Sequence, residues 1–285
     1  MTTLLCLGYG YCAERFVALH GDMFDRRIGT SRSGRPAEGI EIIPFDGAPS
    51  PALLEAIASA DVILTSAAPG EAGDPFLSSL GETLQAAPQN GSLVYLSTIG
   101  VYGDSGGEWI DESTPLATTS PRGKRRIAAE AGWQALGEAT GRPVAILRLG
   151  GIYGPGRNAL RDAKDGTARC IVREGQVFNR IHVDDIARAI HAAIASGFNG
   201  AVNVVDDVPS VSCAPVQFAA ELLGLPAPTP VPFEEAARSM SAMALSFWSD
   251  NRRVRNDRLH ALLNGALTYP SYREGLAGLL ERGEI

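Results

Sequence analysis

Short apolar runs alternate with segments of helical apolar spacing through most of this 285-residue chain, and this alternation is the strongest constraint on its fold. Near-continuous apolar runs are typical of strands whose two faces are both covered by helices, as in parallel sheets. We therefore predict an α/β fold with a doubly wound parallel sheet. The seven runs occupy residues 3–8, 26–31, 40–45, 61–68, 92–98, 143–150 and 201–205.

The alternation stops near residue 207, and helical patterns dominate from there to the C-terminus. We predict a dinucleotide-binding domain built from residues 1–150 and 181–206. A smaller, mainly helical substrate-binding lobe is predicted from residues 151–180 and 207–285. One helix start is marked by Ser120 followed by Pro121, the N-cap and N1 residue types that favour helix initiation.

The bulk composition excludes some functions. The net charge of -7 argues against sequence-independent nucleic-acid binding, which needs a basic surface. No apolar run approaches the roughly 18 residues of a membrane span, so no membrane partner is expected. The cysteines are scattered and form no Cys-x-x-Cys pair, so we predict neither a disulfide framework nor a metal site. The same cysteine usage predicts a cytoplasmic location. They are Cys6, Cys12, Cys170 and Cys213.

A glycine turn follows the first run and opens a helix. In this context Gly8 permits the tight turn, Gly10 lets the backbone approach a pyrophosphate, and Ala13 lets the helix pack closely on the strand. The first helical residues, Tyr11 and Cys12, lie where backbone amides can donate to phosphates. We predict a Rossmann-type dinucleotide site here; the alternative is a tight turn without a ligand.

The end of the second run selects the cofactor in such folds. An acid there binds a ribose 2′-hydroxyl, whereas an arginine accommodates a 2′-phosphate. Residues 28–35 contain no acid but offer Ser31, Arg32 and Arg35 among their polar side chains. This favours NADP over NAD, because a guanidinium binds phosphate and a carboxylate repels it. The alternative is that both arginines are solvated loop cations.

Two further strand ends are candidates for the same site. Asp46, after the third run, has the chemistry to accept a hydrogen bond from an adenine amine, although loop aspartates also cap turns. After the fourth run, Ala67, Ala68 and Pro69 are small residues where the backbone would pass close to a ribose.

The stretch LVYLSTIGVYGD (93–104) ends a strand with Ser97 and Thr98. Together with the glycine turn and residues 147–158, 180–190 and 202–207, it resembles the extended short-chain dehydrogenase/reductase superfamily of the NAD-dependent epimerase/dehydratase type. The resemblance spans nearly the whole chain. It implies that Thr98 polarises a carbonyl or hydroxyl oxygen of the substrate and that Ser97 lies at the cofactor.

The same resemblance implies a Ser-Pro-Tyr-Gly-x-x-Lys pattern at a helix start, where the tyrosine carries the proton. Here the stretch is SPRGKRR, with Arg122 and Arg126 at the two key positions. An arginine stays protonated, so Arg122 cannot transfer a proton but can stabilise an oxyanion or bind an anion. Arg126 can still donate to ribose hydroxyls. The chain thus resembles the atypical branch that lacks the tyrosine–lysine pair.

Another residue would have to carry the proton. Tyr153 follows the sixth run and is a candidate to face the cleft. Tyr102, His182, Asp104 and Glu108 are further candidates, with packing, helix capping or solvation as the alternatives, and none of the five stands out. Between residues 157 and 180, six cations face three acids, which favours a small anionic substrate such as a nucleotide-sugar, a phosphate ester or a carboxylate. Surface cations balanced by nearby acids are the alternative.

Two functions remain open from the sequence. The first is an NAD(P)-dependent oxidoreductase or epimerase-like enzyme, and the second is a catalytically inactive NADP(H)-binding sensor or regulatory protein. A homodimer through the helices predicted at 74–87 and 121–139 is expected by analogy with the superfamily. The second of these helices carries Ala128, Ala131 and Ala135 at close-packing spacing.

Overall fold

The computed structural model describes residues 1–87 and 91–285. The strands are β1 (Thr3–Leu7), β2 (Arg26–Ser31), β3 (Glu41–Pro44), β4 (Val62–Thr65), β5 (Ser92–Thr98), β6 (Trp109–Ile110), β7 (Val144–Leu149), β8 (Gly151–Tyr153), β9 (Ile171–Val172), β10 (Arg180–His182), β11 (Gly200–Val204), β12 (Val231–Pro232) and β13 (Arg253–Val254).

The α-helices are α1 (Tyr11–His20), α2 (Pro51–Ser59), α3 (Pro75–Ala86), α4 (Pro121–Thr140), α5 (Ala159–Lys164), α6 (Val183–Ser196), α7 (Cys213–Leu222), α8 (Phe233–Ala236), α9 (Ala242–Ser246), α10 (Asp257–Leu263) and α11 (Tyr272–Glu281). Short 3-10 turns occur at Gly21–Met23, Ile99–Tyr102 and Ala237–Ser239. Helix α4 begins as predicted, with the Ser120 hydroxyl accepting from the Gly123 amide at 3.0 Å and Pro121 at the first helical position.

Within the described residues, a seven-stranded sheet has the order β11-β7-β5-β4-β1-β2-β3. The pairs β1–β2, β1–β4, β2–β3 and β4–β5 are parallel. Six strands of this sheet lie within apolar runs of the sequence, and β11 begins one residue before the seventh run. Strands β1, β4 and β7 are buried along their whole length. The predicted α/β fold with a doubly wound parallel sheet is confirmed.

The chain divides into two compact units. The first contains 1–101, 119–148 and 186–202, and its core includes Leu5, Ile28, Tyr95 and Trp133. The second contains 102–118, 149–185 and 203–285. The sequence-based division differs from this one, because it places four segments with the sheet that belong to the second unit: 102–118, 149–150, 181–185 and 203–206. Strand β6, for example, pairs in parallel with β13 of the second unit.

The second unit is mainly helical and has small cores of its own. One forms where α5, α7 and α11 pack together around Leu160, Ala219 and Leu276. Another surrounds Trp248, which packs edge-on against Phe178 and stacks on Phe233. Strand β12 pairs in parallel with β9 at the second of these cores.

A disulfide joins Cys170, the residue before β9, to Cys213, the first residue of α7. Both cysteines are buried. The prediction that the scattered cysteines form no disulfide is therefore wrong for this pair, since residues 43 positions apart in sequence are adjacent in the fold. Cys6 and Cys12 are buried thiols outside this disulfide, and burial raises the pKa of the Cys6 thiol.

Across the ranges 1–87 and 91–285, no helix combines the length and apolar character needed to cross a bilayer. Over the same residues, no group of three or more His, Cys, Asp or Glu side chains is placed to hold a metal ion.

Candidate cofactor site

A cavity of about 780 Å³ lies in the first unit, where β1, β2, β3 and β4 end. Parallel sheets of this order bind ligands at the carboxyl ends of their strands, where the strand order reverses on either side of β1. The cavity therefore occupies the position at which a doubly wound fold binds a dinucleotide. Its lining residues are Gly8, Tyr9, Gly10, Thr30, Ser31, Arg32, Ser33, Phe45, Asp46, Gly47, Ser66, Ala67, Ala68, Pro75 and Phe76.

The glycine turn between β1 and α1 forms one wall of the cavity. Gly8 has φ of +88°, and a Cβ there would lie 3.0 Å from both the Cβ and the backbone nitrogen of Ala67, so the turn requires glycine. The Gly8 amide donates to the Thr30 hydroxyl at 2.8 Å, and the Tyr9 amide donates to the Thr30 carbonyl at 2.7 Å. Thr30 thereby fixes the turn to the end of β2.

Gly10 leaves the mouth of helix α1 open. A Cβ at Gly10 would have no neighbouring atom within 4 Å, and Gly10 is the N-cap of α1 without a side chain to cap it. The first amides of a helix are natural donors to an anion, and a side chain at residue 10 would occupy the approach to them. The cradle therefore fits the pyrophosphate of a dinucleotide.

A polar corner closes the cavity at the end of β2. Ser31 is half-buried and its hydroxyl accepts from the Gly34 amide at 3.0 Å, while Arg32 and Ser33 are exposed along the rim. Asp46 also lines the cavity, and its carboxylate accepts a long 3.4 Å hydrogen bond from the Ala48 amide. The corner thus carries one exposed guanidinium and one acid with remaining acceptor capacity.

Two aromatic side chains form an apolar wall of the cavity. Phe45 and Phe76 stack with ring centroids 4.7 Å apart and are both buried. A flat apolar face of this kind suits an aromatic ring such as a nucleobase. Sequence reasoning missed these two residues and Tyr9, although Phe45 precedes Asp46 directly and Phe76 is the second residue of helix α3.

The predicted cofactor residues divide into two groups. Those that line the cavity are Gly8, Gly10, Ser31, Arg32, Asp46, Ala67 and Ala68. Those outside the lining, within the described chain, are Tyr11, Cys12, Ala13, Pro69, Ser97 and Arg126. Ala13 is fully buried in α1 and Cys12 is nearly so, which leaves only their backbone for a ligand.

Arg126 departs from its predicted role at the cofactor ribose. Its side chain is buried, and its Nη1 donates to the Tyr95 hydroxyl at 2.9 Å and to the Leu96 carbonyl at 2.8 Å. The guanidinium is therefore bound to strand β5. Burial raises the pKa of Tyr95 to about 12 against the opposing effect of Arg126, so the phenol stays protonated.

Ser97 departs from its prediction in the same way. Its buried hydroxyl donates to Glu130 of α4 at 2.5 Å. Glu130 also accepts from Arg148 of β7, with Nη2 to Oε2 at 2.8 Å and Nε at 3.2 and 3.3 Å from the two carboxylate oxygens. Ser97 thus joins a buried ion pair between α4 and β7 that no sequence spacing had indicated.

Thr98 and Arg122 lie nearer the surface. Thr98 ends β5 partly exposed, and its hydroxyl accepts from the Gly100 amide at 3.1 Å. Arg122 is exposed in the first turn of α4, whereas Arg126, one turn later, is buried. The two arginines were predicted to act from one helical face, but they occupy different environments.

Tyr153 lies in a core of the second unit. Its hydroxyl donates to the Ser271 carbonyl at 3.2 Å, and its ring meets the His182 ring edge-on at 5.1 Å. Gly275 makes room for it, because a Cβ there would overlap the Tyr153 hydroxyl. Burial raises the Tyr153 pKa, and the negative charges of Asp206 and Asp185 add to the shift, which makes this phenol a poor proton carrier.

Three of the six cations between residues 157 and 180 have internal partners. Arg161 pairs with Asp165 at 2.7 Å, Arg173 donates to the Trp248 carbonyl at 2.7 Å, and Arg180 donates to the Ser210 hydroxyl at 2.6 Å. The positive charge of this segment is therefore less available to a substrate than its sequence had indicated.

Comparison with known proteins supports the nucleotide-binding character of this fold. The model of the NAD dependent epimerase/dehydratase family matches residues 78–205. A 3-diazoavenalumate denitrifying reductase of Streptomyces is 32% identical over 185 residues, covering 59% of this chain and 58% of the reductase. The human dTDP-D-glucose 4,6-dehydratase is 27% identical over 203 residues, covering 68% of this chain and 52% of the dehydratase.

The chain thus spans somewhat more than half the length of these two curated relatives. A solved structure of a conserved protein of unknown function from Silicibacter pomeroyi covers all of both chains, with 42% identity and a TM-score of 0.89. The family match begins after the residues of the glycine turn and the cavity, while the structural match extends over the whole chain. The chain belongs to the NAD-dependent epimerase/dehydratase superfamily.

Proposed function

We propose that this protein is an NADP(H)-dependent oxidoreductase or epimerase-like enzyme of its superfamily. The observation that carries the proposal is the cavity between the Gly8–Gly10 turn and the exposed Arg32 at the end of β2. The turn suits a pyrophosphate, and a guanidinium in the segment 28–35, which contains no acid, suits a 2′-phosphate. The name of the Streptomyces relative, a reductase, supports the same class of reaction.

A bound nicotinamide dinucleotide would supply or accept a hydride. The chain's own residues would bind and orient it: the first amides of α1 at the pyrophosphate, Arg32 and Ser31 at the 2′-phosphate, and the Phe45–Phe76 wall at the adenine. Thr98, at the end of β5, has an O–H free to donate while its oxygen accepts from the Gly100 amide. We propose that it polarises the substrate oxygen.

The proposed substrate is a small anionic carbonyl or hydroxyl compound, which includes nucleotide-sugars. Arg122 supports this proposal because it is an exposed cation on the first turn of α4, two dozen residues after Thr98 in the sequence position of the superfamily's tyrosine. A guanidinium there stabilises developing negative charge but transfers no proton. The enzyme would then move its proton through another group or water, without the tyrosine–lysine pair.

Nucleotide titration tests the cofactor part of the proposal. Purified protein is titrated with NADPH and with NADH while the nucleotide fluorescence is followed, and NADPH is expected to bind at least tenfold more tightly. A panel of carbonyl acids, phosphate esters and sugar nucleotides then tests turnover with the preferred cofactor. Binding of neither nucleotide would overturn the proposal, and binding without turnover across the panel would favour the second function below.

A catalytically inactive NADP(H)-binding sensor is the second candidate. The position of Arg126 favours it, because both hydrogen bonds of its Nη1 are made to β5 instead of being open to a ligand. A sensor would bind NADPH and NADP with unequal affinity and turn over neither. Calorimetric titration with the two redox forms distinguishes it from a protein that binds both alike.

A cytoplasmic location and a homodimer stay predictions. The α4 residues Ala128, Ala131 and Ala135 are exposed, as a dimer through α3 and α4 would require. Sedimentation equilibrium of the full chain measures the oligomeric state directly.

A further inference from the structure

Tyr9 occupies the position between the two glycines of the turn and lines the same cavity as Ser31 and Arg32. Its backbone is fixed by the 2.7 Å bond from its amide to the Thr30 carbonyl, and its side chain is partly exposed. The side chain is large for a position whose neighbours on both sides are glycines. The function proposed above gives Tyr9 no role in binding the cofactor.

Strand β2 is shaped to receive this ring. A Cβ at Gly29 would lie 2.9 Å from the Tyr9 Cβ and 3.0 Å from its Cγ, so the Tyr9 side chain packs directly on the backbone of Gly29. Any side chain at residue 29 would displace it. The absence of a side chain at Gly29 therefore fixes where the Tyr9 ring begins.

The pleat of β2 places Tyr9 beside the polar corner. Alternate residues of a strand share a face, so Gly29 and Ser31 share one face while Thr30 points to the other. Thr30 uses its hydroxyl on the Gly8 amide, in agreement with this alternation. The Tyr9 ring, which covers Gly29, thus lies on the face of β2 from which Ser31 projects.

The phenol is a donor and carries no charge. Burial raises the pKa of Tyr9 to about 12, with the charges of Cys6 and Glu14 adding to the shift, so the hydroxyl keeps its proton at neutral pH. A neutral O–H next to a phosphate donates a charge-assisted hydrogen bond and brings no repulsion.

We propose that Tyr9 is a specificity-determining residue that donates its phenol hydrogen to the 2′-phosphate of NADP(H), beside Ser31 and Arg32. Arg32 supplies the positive charge from the rim, and Tyr9 supplies a directed donor from the wall that Gly29 leaves open. This inference rests on the proposed function, because it assumes that a phosphorylated dinucleotide occupies the cavity.

The test compares wild type, Tyr9→Phe and Tyr272→Phe by fluorescence titration with NADPH and NADH. Tyr272→Phe is the matched control, since it removes a buried phenol hydroxyl that is outside the cavity lining. Tyr9→Phe is expected to weaken NADPH about tenfold or more, the loss for a hydrogen bond to a charged group, and to change NADH less than about twofold. Tyr272→Phe is expected to change neither.

The wild-type and variant measurements separate the two hypotheses. Wild type that binds neither nucleotide, or that prefers NADH, would overturn the proposed cofactor. Wild type that prefers NADPH, with Tyr9→Phe unchanged or weakened equally for both nucleotides, would overturn the role of Tyr9 alone. Matching melting temperatures of the three proteins ensure that a loss of binding is not a loss of folding.

Discussion

Ser97 and Glu130 form a 2.5 Å hydrogen bond between the end of β5 and the middle of α4, with both side chains buried. One helical turn earlier, Arg126 binds the same strand through the Leu96 carbonyl. Two polar side chains of α4 thus hold the last residues of β5, immediately before Thr98. Arg126, one of the cations near the start of α4, is therefore part of the interior of the first unit.

Glu130→Leu is expected to destabilise the protein by about 3–5 kcal/mol, because it leaves Arg148 buried without its partner. The double variant Glu130→Leu, Arg148→Met removes both charges and should recover most of that loss. Ser97→Ala removes only one hydrogen bond and should cost about 1 kcal/mol. Urea unfolding of the four proteins measures these differences, and equal losses in the single and double Glu130 variants would contradict a charge-pair origin.

Arg32→Ala is expected to weaken NADPH binding about 10- to 100-fold, since it removes a cation from the polar corner that is proposed to bind the 2′-phosphate. NADH binding should change little. In wild type, the difference in affinity between NADPH and NADH should shrink as salt is added, because salt screens the interaction of an exposed guanidinium with a phosphate. Arg35→Ala is the matched control: Arg35 lies on the same exposed loop but outside the cavity lining.

Reduction of the Cys170–Cys213 disulfide is expected to lower the stability of the second unit by up to about 4 kcal/mol, the chain-entropy value for a loop of 43 residues. Calorimetry compares the melting temperature of the protein with its disulfide intact with that of protein that was reduced while unfolded and then refolded. A Cys170→Ser, Cys213→Ser variant should melt like the reduced protein and be insensitive to reductant. Four reactive thiols in the denatured, unreduced protein would show that the bond does not form.

The titration of Asp206 is expected to lower the free energy of unfolding as pH rises. Burial raises its pKa to about 8 despite the nearby Arg180, so the folded protein keeps a proton that the unfolded chain loses near pH 4. Between those values the unfolded state binds fewer protons, and stability therefore decreases through this window and levels off above pH 8.

Asp206→Asn removes this titration. Between pH 5 and pH 8.5, the free energy of unfolding of the variant is expected to rise relative to that of wild type by an amount on the order of 1–3 kcal/mol. This is less than the full pKa shift would give at about 1.36 kcal/mol per unit. Urea unfolding of both proteins at the two pH values measures this difference, because the titration of groups that do not interact with Asp206 cancels between them. A constant difference between the two proteins would contradict the raised pKa.

The fold was largely predictable because its main signal is local. Each apolar run encodes a strand by itself, and Gly8 encodes a turn that only glycine tolerates beside Ala67. Ser120 and Pro121 likewise encode the start of α4 within four residues. Such signals need no knowledge of which elements become neighbours.

Side-chain partners were less predictable because they depend on packing between distant elements. The spacing of Arg122 and Arg126 gives a shared side of α4, but only the packing of α4 on β5 decides that one is exposed and the other buried. The resemblance to the superfamily places Ser97 at the cofactor, and nothing near Ser97 in the sequence reveals its partner Glu130. The Cys170–Cys213 pairing is equally invisible, because it depends on where α7 meets β9.

The close approach of Tyr9 to Gly29 has an evolutionary consequence. Because the two side chains would compete for one volume, we expect the residue types at these positions to covary among related proteins, with a bulky residue at one accompanied by a minimal residue at the other. A single exchange at position 29 would pass through a sterically strained intermediate. A larger residue at position 29 is therefore expected only in relatives that carry a smaller residue at position 9.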